Sequence, residues 1–299
     1  MREDLKILNI LLREEYMGLW NMPKVRVGVL KIGCIGCTPL LEYLLDERAD
    51  REDIEVRVVG SGAKMTDEDV EDVVKGMLNF NPSFVILTTP NATLPGPKKV
   101  VELLTNAKLP TLVISDAPAQ KARKYLEEKG AGYIIVLADS MIGARREFLD
   151  PVEMAIYNSD VIRVLAITGV YNILYEAIDS IIEALKTGKE LTLPRIVVNA
   201  ETAVNKAGFG NPYAKAKAMA AFEIAATVSK LTTAACFKIK ERERYIFYAA
   251  AAHEMMRYAA SLADEAREIE KYGDHVVRRP HSKEGVILHK TRLLEKPLK

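Results

Sequence analysis

The sequence predicts an α/β protein: a doubly wound, mostly parallel sheet domain, then a helical bundle region and a small C-terminal β segment. Three observations carry that expectation. Five short runs rich in β-branched apolar residues lie between Val25 and Leu137, each separated from the next by a helix-length stretch. Beyond residue 150 two long Ala-rich segments dominate, and from Gly273 the chain turns basic and irregular. Strands covered on both faces read as continuous apolar runs, and helical crossovers make such strands parallel. Right-handed crossovers then wind the sheet in both directions.

In chain order, residues 25–30 make the first strand, followed by a Gly-rich turn and a helix over 38–45. Residues 53–59 make the second strand, ended by Gly60-Ser61-Gly62. Thr66 before Asp67-Glu68-Asp69 marks a helix start, with a hydroxyl cap and acids that suit the positive helix terminus. The third strand is 84–88, and Pro95-Gly96-Pro97 opens a helix that runs to 107. The fourth strand is 111–114, then Asp116-Ala117-Pro118 and a helix to 129, and the fifth strand is 133–137. Residues 151–186 read as one long helical stretch, and 193–198 as one strand. Residues 212–230 and 244–271 are the Ala-rich helices; short β-prone pieces such as 285–288 follow. The expected divisions are an extension at 1–22, an α/β ligand-binding domain at 23–150, a helical region at 151–272 and a tail at 273–299.

Lys and Arg number 42 and Asp and Glu 41, a net charge of +1 that argues against a broad nucleic-acid surface or a cationic membrane binder. A local cationic pocket stays open. Three cysteines, Cys34, Cys37 and Cys236, fit a reducing compartment, and no apolar run reaches the roughly 18 residues of a membrane span. The first 21 residues carry charges of both signs and no apolar core before a small-residue cleavage site, so they do not read as a signal peptide. Met17 and Met22 are alternative translation starts. These features point to the cytoplasm, with neither nucleic acid nor membrane as partner. Gln120 is the single glutamine among abundant Lys, Arg and Glu, a thermophile tendency.

Open parallel sheets bind ligands outside the strand C-termini. Those loops hold Lys31, Gly33, Ile35, Gly36 and Thr38 after the first strand, and Ser61 and Lys64 after the second. Pro90 and Asn91 follow the third strand, Asp116 the fourth, and Asp139, Met141, Arg145 and Arg146 the fifth. The first loop resembles a dinucleotide fingerprint with Lys31 where the first glycine belongs. Gly33 would let backbone approach an anion, and the helix N-terminus would attract it; the alternative is that the glycines only make tight turns. A nicotinamide dinucleotide also needs an acid after the second strand, where this chain has Gly60-Ser61-Gly62 and then Lys64. Arg145 and Arg146 would clamp a carboxylate or phosphate, or pair with Glu147 and Asp150. His253 is a hydrogen-bonded packing residue or a ligand contact between domains. His253-Glu254-Met255-Met256-Arg257 lacks the second histidine of a zinc helix, and Cys34 and Cys37 lack a partner pair, so no metal is expected. Cys34 and Cys37 read as two buried small residues near a helix start, or as a redox pair.

Together several motifs resemble the coenzyme F420-dependent methylenetetrahydromethanopterin dehydrogenases of methanogenic archaea. They are Lys31-Ile32-Gly33 with Ile35-Gly36, Val58-Val59-Gly60-Ser61-Gly62-Ala63-Lys64-Met65, and Pro95-Gly96-Pro97-Lys98-Lys99. They continue with Met141-Ile142-Gly143-Ala144-Arg145-Arg146-Glu147-Phe148-Leu149-Asp150-Pro151, Asn211-Pro212-Tyr213-Ala214-Lys215, Ala252-His253-Glu254-Met255-Met256 and Leu262-Ala263-Asp264-Glu265-Ala266. The resemblance runs from Pro23 to the C-terminus; the first 21 residues look like an addition. It implies reversible hydride transfer between methylenetetrahydromethanopterin and F420 in methanogenesis from carbon dioxide. F420 would be a dissociable co-substrate, with no metal or prosthetic group, and the protein a homo-hexamer built from dimers. On that reading Lys31, Gly33, Ile35, Gly36, Thr38, Ser61, Lys64, Pro90, Asn91 and Asp116 face the coenzyme. Met141, Arg145, Arg146 and His253 face the pterin, and an acid, Asp139 or else Asp116, would add electrostatic stabilisation. The rival readings are an NAD(P)-linked dehydrogenase, a non-catalytic binding protein for a phosphorylated ligand, and a thiol-disulfide protein.

Overall fold

The computed structural model describes residues 24–46, 51–140 and 150–299. Its first half alternates strand and helix: β1 (Val25–Ile32), α1 (Cys37–Asp46), β2 (Ile54–Gly62), α2 (Asp67–Phe80), β3 (Phe84–Thr89), α3 (Pro95–Asn106), β4 (Thr111–Asp116). A 3-10 turn at Ala117–Ala122 leads into α4 (Arg123–Glu128) and β5 (Gly132–Val136). The second half is α5 (Pro151–Thr168), α6 (Val170–Thr187), β6 (Arg195–Val198), α7 (Ala200–Ala207), α8 (Pro212–Thr233), a π turn at Ala234–Lys238, and α9 (Arg242–Tyr272).

The six strands are all parallel, in the order β2-β1-β3-β4-β5-β6. The winding reverses between β1 and β3, which opens a crevice at their C-terminal ends. Alternation along each strand builds two cores. Phe84 and Ile86 of β3 face α1, α5, α6, α8 and α9, whereas Val85 and Leu87 face α2, α3 and α4. Both faces of the inner strands are therefore covered. β2 and β6 are the edges, and outer positions of β2 such as Val58 stay exposed.

Several sequence expectations are sharpened. β2 does not stop at Val59: pairing with β1 continues through Lys31–Gly60 and Ile32–Gly62, with a register shift between them. Gly60 eases this close approach: a Cβ there would lie 3.0 Å from both Cβ and the carbonyl oxygen of Lys31. Residues 195–198 join the sheet beside β5, so the sheet draws on the 23–150 and 151–272 stretches alike. The long helical stretch divides at Gly169 into α5 and α6, bent by 70°. Gly169 has φ +108°, and an added Cβ would lie 2.1 Å from the Ala203 carbonyl oxygen. α7 has no counterpart in the sequence reading; Asn199 caps it by accepting from the Thr202 amide at 2.8 Å.

The Ala-rich helices pack through a repeat of alternating three- and four-residue steps. Ala214, Ala218, Ala221, Ala225 and Val228 of α8 are buried, as are Ala249, Ala252, Met256, Ala259, Ala263 and Ala266 of α9. That spacing keeps one narrow stripe per helix facing its partner, and small residues let the backbones approach. The helices run antiparallel: Lys217 pairs with Glu265 at 2.5 Å, and Glu270 accepts the amides of Gly210 and Asn211 before α8.

The tail, with isolated antiparallel bridges such as Arg278–Lys290, is tied to the body by buried polar contacts. His281 bonds Asp179 at 2.6 Å, and the Tyr175 hydroxyl donates to the Arg279 carbonyl at 2.6 Å. Arg51 donates twice to Asp53, at 2.7 and 2.6 Å, and once to Asp179 at 3.2 Å. Burial alone would raise the Asp53 carboxyl, but hydrogen bonds from Arg51 and Lys186 overcome it and hold the group below its ordinary value.

Two outcomes are expected. Gly169→Ala lowers stability by more than about 2 kcal/mol in denaturant unfolding, because left-handed backbone and a backbone clash coincide. Asp53→Asn costs about 2 kcal/mol at neutral pH, as expected for charged hydrogen bonds. An acid with a depressed pKa stabilises above its unfolded value of about 4 and loses that contribution as pH falls through the folded one. The gap between wild type and Asp53→Asn should close in acid; a gap constant with pH contradicts the assignment.

Candidate functional site

The crevice at the strand C-termini is built mainly by the turn after β1. Gly33, with φ +84°, lets that turn pass under the loop after β3: an added Cβ would meet Pro90 Cδ at 2.7 Å and Met65 Sδ at 2.9 Å. Its amide donates to the Gly62 carbonyl at 3.0 Å, tying the turns after β1 and β2 together. Lys31 is half-buried at the end of β1, 3.7 Å from Glu42, and Lys64 is exposed on the rim. The Ser61 hydroxyl donates to the Lys64 carbonyl at 2.5 Å, which shapes the turn that carries the lysine. Pro90 is buried, and the Asn91 side chain accepts from the Thr93 amide and hydroxyl. Thr89 Oγ1 at the end of β3 is buried and has no hydrogen-bond partner among the described residues.

One expectation is corrected. The first turn of α1 does not hold its amides ready for an external anion. The Gly36 and Cys37 amides donate to Asp139, at 2.6 Å to Oδ1 and 2.9 Å to Oδ2. The carboxylate follows β5, so the anion at this helix terminus belongs to the protein itself. Gly36 is glycine for packing: a Cβ would lie 2.4 Å from Val161 Cγ1 and 2.9 Å from Asp139 Oδ1. Ile35 and Cys37 point into the core, and the Thr38 hydroxyl donates to Thr88 at 2.9 Å, fully buried. Asp139 is itself 0% exposed, so its charge acts on the crevice through the turn it holds. Of the predicted coenzyme set, Lys31, Gly33, Ser61, Lys64, Pro90 and Asn91 meet around the reversal of the sheet. Ile35, Gly36, Thr38 and Asp116 lie beneath it.

Below the turn lies a polar layer that sequence reasoning assembled only in part. Asp116, 1% exposed, accepts from the Ala117 amide at 2.5 Å and shares a hydrogen bond with the Ser229 hydroxyl of α8 at 3.1 Å. Ser140 shares a hydrogen bond with the Tyr157 hydroxyl of α5 at 2.8 Å, and the Tyr157 ring stacks on His253 at 4.3 Å. Burial raises the Tyr157 phenol and lowers His253, with Glu153, 3.6 Å from His253, working against the latter. His253 is 3% exposed. Burial raises Cys37, helped by Asp139 and Asp116; Cys34 is exposed, and both are free thiols. Burial also raises Asp139, opposed by hydrogen bonds from Cys37 and the Gly36 amide. Ser140, Tyr157 and Ser229 were missed. The available signal was a lone hydroxyl on the apolar face of a helix, which Tyr157 and Ser229 both show. Met141, Arg145 and Arg146 lie outside the described residues. No cluster of three or more His, Cys, Asp or Glu suited to a metal occurs among the described residues.

A family model described as methylene-5,6,7,8-tetrahydromethanopterin dehydrogenase matches residues 25–298. The F420-dependent methylenetetrahydromethanopterin dehydrogenase of Archaeoglobus fulgidus is 59% identical over 91% of this chain and 99% of its own length. That of Methanocaldococcus jannaschii is 55% identical over the same shares. A solved F420-dependent methylene-tetrahydromethanopterin dehydrogenase, in complex with methylene-tetrahydromethanopterin and coenzyme F420, superposes with a TM-score of 0.88. It is 46% identical, over 92% of this chain and all of that one. With the family model, the relatives and the fold in agreement over nearly the whole length, the chain belongs to the methylene-5,6,7,8-tetrahydromethanopterin dehydrogenase family.

Proposed function

We propose that this chain catalyses reversible hydride transfer between methylenetetrahydromethanopterin and coenzyme F420, giving methenyltetrahydromethanopterin and reduced F420. The observation that carries it is the solved relative that binds both molecules and is matched along its whole length. This is a step of methanogenesis from carbon dioxide.

The residues present suit a flat, anionic coenzyme. Gly33 removes side-chain bulk where the turn meets Pro90 and Met65. Lys31 and Lys64 supply positive charge at the rim, and Gly60-Ser61-Gly62 offers no acid for a dinucleotide ribose. Bound F420 supplies the hydride-accepting carbon of its deazaflavin ring. The chain's own contribution is positioning: Gly33, Pro90 and Asn91 shape the wall, the lysines hold anionic groups, and Asp139 fixes the turn. The carbon that gives up hydride lies between two nitrogens, which stabilise the resulting cation, so no strong general base is required. Arg145 and Arg146 are assigned to the pterin from their place after β5.

The reading extends to a homo-hexamer in the cytoplasm. Supporting an assembly, Tyr213 of α8 and Phe247, Tyr258 and Tyr272 of α9 are each at least 70% exposed, an unusual display of aromatic surface.

An anaerobic optical assay tests the reaction. Mixing protein, methylenetetrahydromethanopterin and oxidised F420 should bleach the deazaflavin absorbance with one coenzyme reduced per pterin, and NAD or NADP should not substitute. Reduction of NAD or NADP instead would favour a nicotinamide-linked dehydrogenase. No turnover by folded protein would leave a binding protein. Gly33→Val should lower kcat/KM for the coenzyme about 100-fold, since a shift of one ångström in a positioning wall has that scale. A wild-type coenzyme KM in this variant contradicts the placement of the crevice.

A further inference from the structure

Asp116 and Asp139 stand at the ends of neighbouring strands, on the face of the sheet that carries α1 and α8. Both are at most 1% exposed, and neither forms an ion pair with Lys or Arg among the described residues. Two like charges buried side by side repel, so such a pair keeps one proton. The hydrogen-bond donors decide which group keeps it. Asp139 receives two amides at the start of a ten-residue helix, a setting that favours the anion. Asp116 receives one amide, and its second partner, the Ser229 hydroxyl, accepts a hydrogen bond as readily as it donates one. Among the described residues, Cys37 of α1 and Tyr157 of α5 also feel the Asp116 charge, and neither is a cation.

We propose that Asp116 is protonated at neutral pH and donates to Ser229, while Asp139 carries the negative charge, so that the polar layer under the site holds one charge. Burial pushes Asp116 well above the usual carboxylate range; the Ala117 amide opposes this, and the Asp139 charge adds to it. Asp116 is then a positioning residue that ties α8 to β4 without a net charge, and Asp139 one that ties α1 to β5. The consequence for catalysis rests on the hydride-transfer reading: the cation formed on the pterin sits above a fixed charge of one sign.

Infrared spectroscopy of the protein alone at neutral pH tests the assignment. Wild type should show the carbonyl band of a buried carboxylic acid, Asp116→Asn should lose it, and Asp139→Asn should retain it. Absence from wild type, survival in Asp116→Asn or loss in a folded Asp139→Asn overturns the proposal. Should Asp139→Asn fail to fold, carbon NMR of wild type labelled in aspartate carboxyls should find one buried carboxyl protonated at neutral pH; none or two overturns it. Linkage gives a further sign. An acid with a raised pKa binds its proton more tightly in the folded state, so wild-type stability falls as pH rises from about 4 toward the folded value. Asp116→Asn should flatten that decline. These readouts use neither coenzyme nor pterin, so their failure is distinct from failure of the hydride-transfer assay.

Discussion

The Asp139 carboxylate joins the ends of two strands that the sheet keeps apart. β3 and β4 lie between β1 and β5, a separation of three strand spacings, or about 14 Å. The turns after β1 and β5 must lean toward each other over the intervening strands for Asp139 to reach the Gly36 and Cys37 amides. That lean roofs the ends of β3 and β4 and buries Thr88, Thr38 and Asp116 beneath it. It also fixes the direction in which α1 leaves the sheet. The crevice wall at Gly33 inherits its position from this contact, because Gly33 and Gly36 sit on one short turn.

The same contact explains why a fingerprint-like loop belongs to a protein without the dinucleotide signature. In a nucleotide-binding turn the helix amides wait for a phosphate. Here an internal carboxylate takes that role permanently. On the function proposed above, anionic ligand groups fall to side-chain cations at the rim, which move, instead of to backbone dipoles, which do not. A dissociable co-substrate is compatible with the more adaptable arrangement.

Much of the fold was legible in the residues. The β-branched runs placed β1, β3, β4 and β5, and Thr66 with its three acids marked the start of α2, where its hydroxyl accepts from Asp69. What escaped depends on partners distant in the chain. Gly60 and Gly62 look like a strand end until β1 pairs with them. Gly169 looks like an ordinary helical glycine until Ala203 presses against it. Four residues, 195–198, are too few to announce membership of a sheet begun 170 residues earlier. At the candidate site, the rim was readable from strand ends alone. The polar layer was not, since Ser140, Tyr157 and Ser229 are meaningful only as neighbours. The helix-terminus anion was identified in principle, but its source was placed outside the chain.

The strap formed by the tail has a bearing on how this polypeptide matures. Arg279 and His281 close onto α6, next to Arg51 and Asp53 at the start of β2, so one buried network spans nearly the full sequence. Residues emerge from the ribosome in order, so α6 is made about a hundred residues before Arg279 and His281. Asp179 can meet Arg51 early, but its contact with His281 and that of Tyr175 with Arg279 must wait. Contacts of such long sequence separation form late and slowly. The earlier strands and helices must survive as an incomplete intermediate until this segment joins them, and only then is the polar interior sealed.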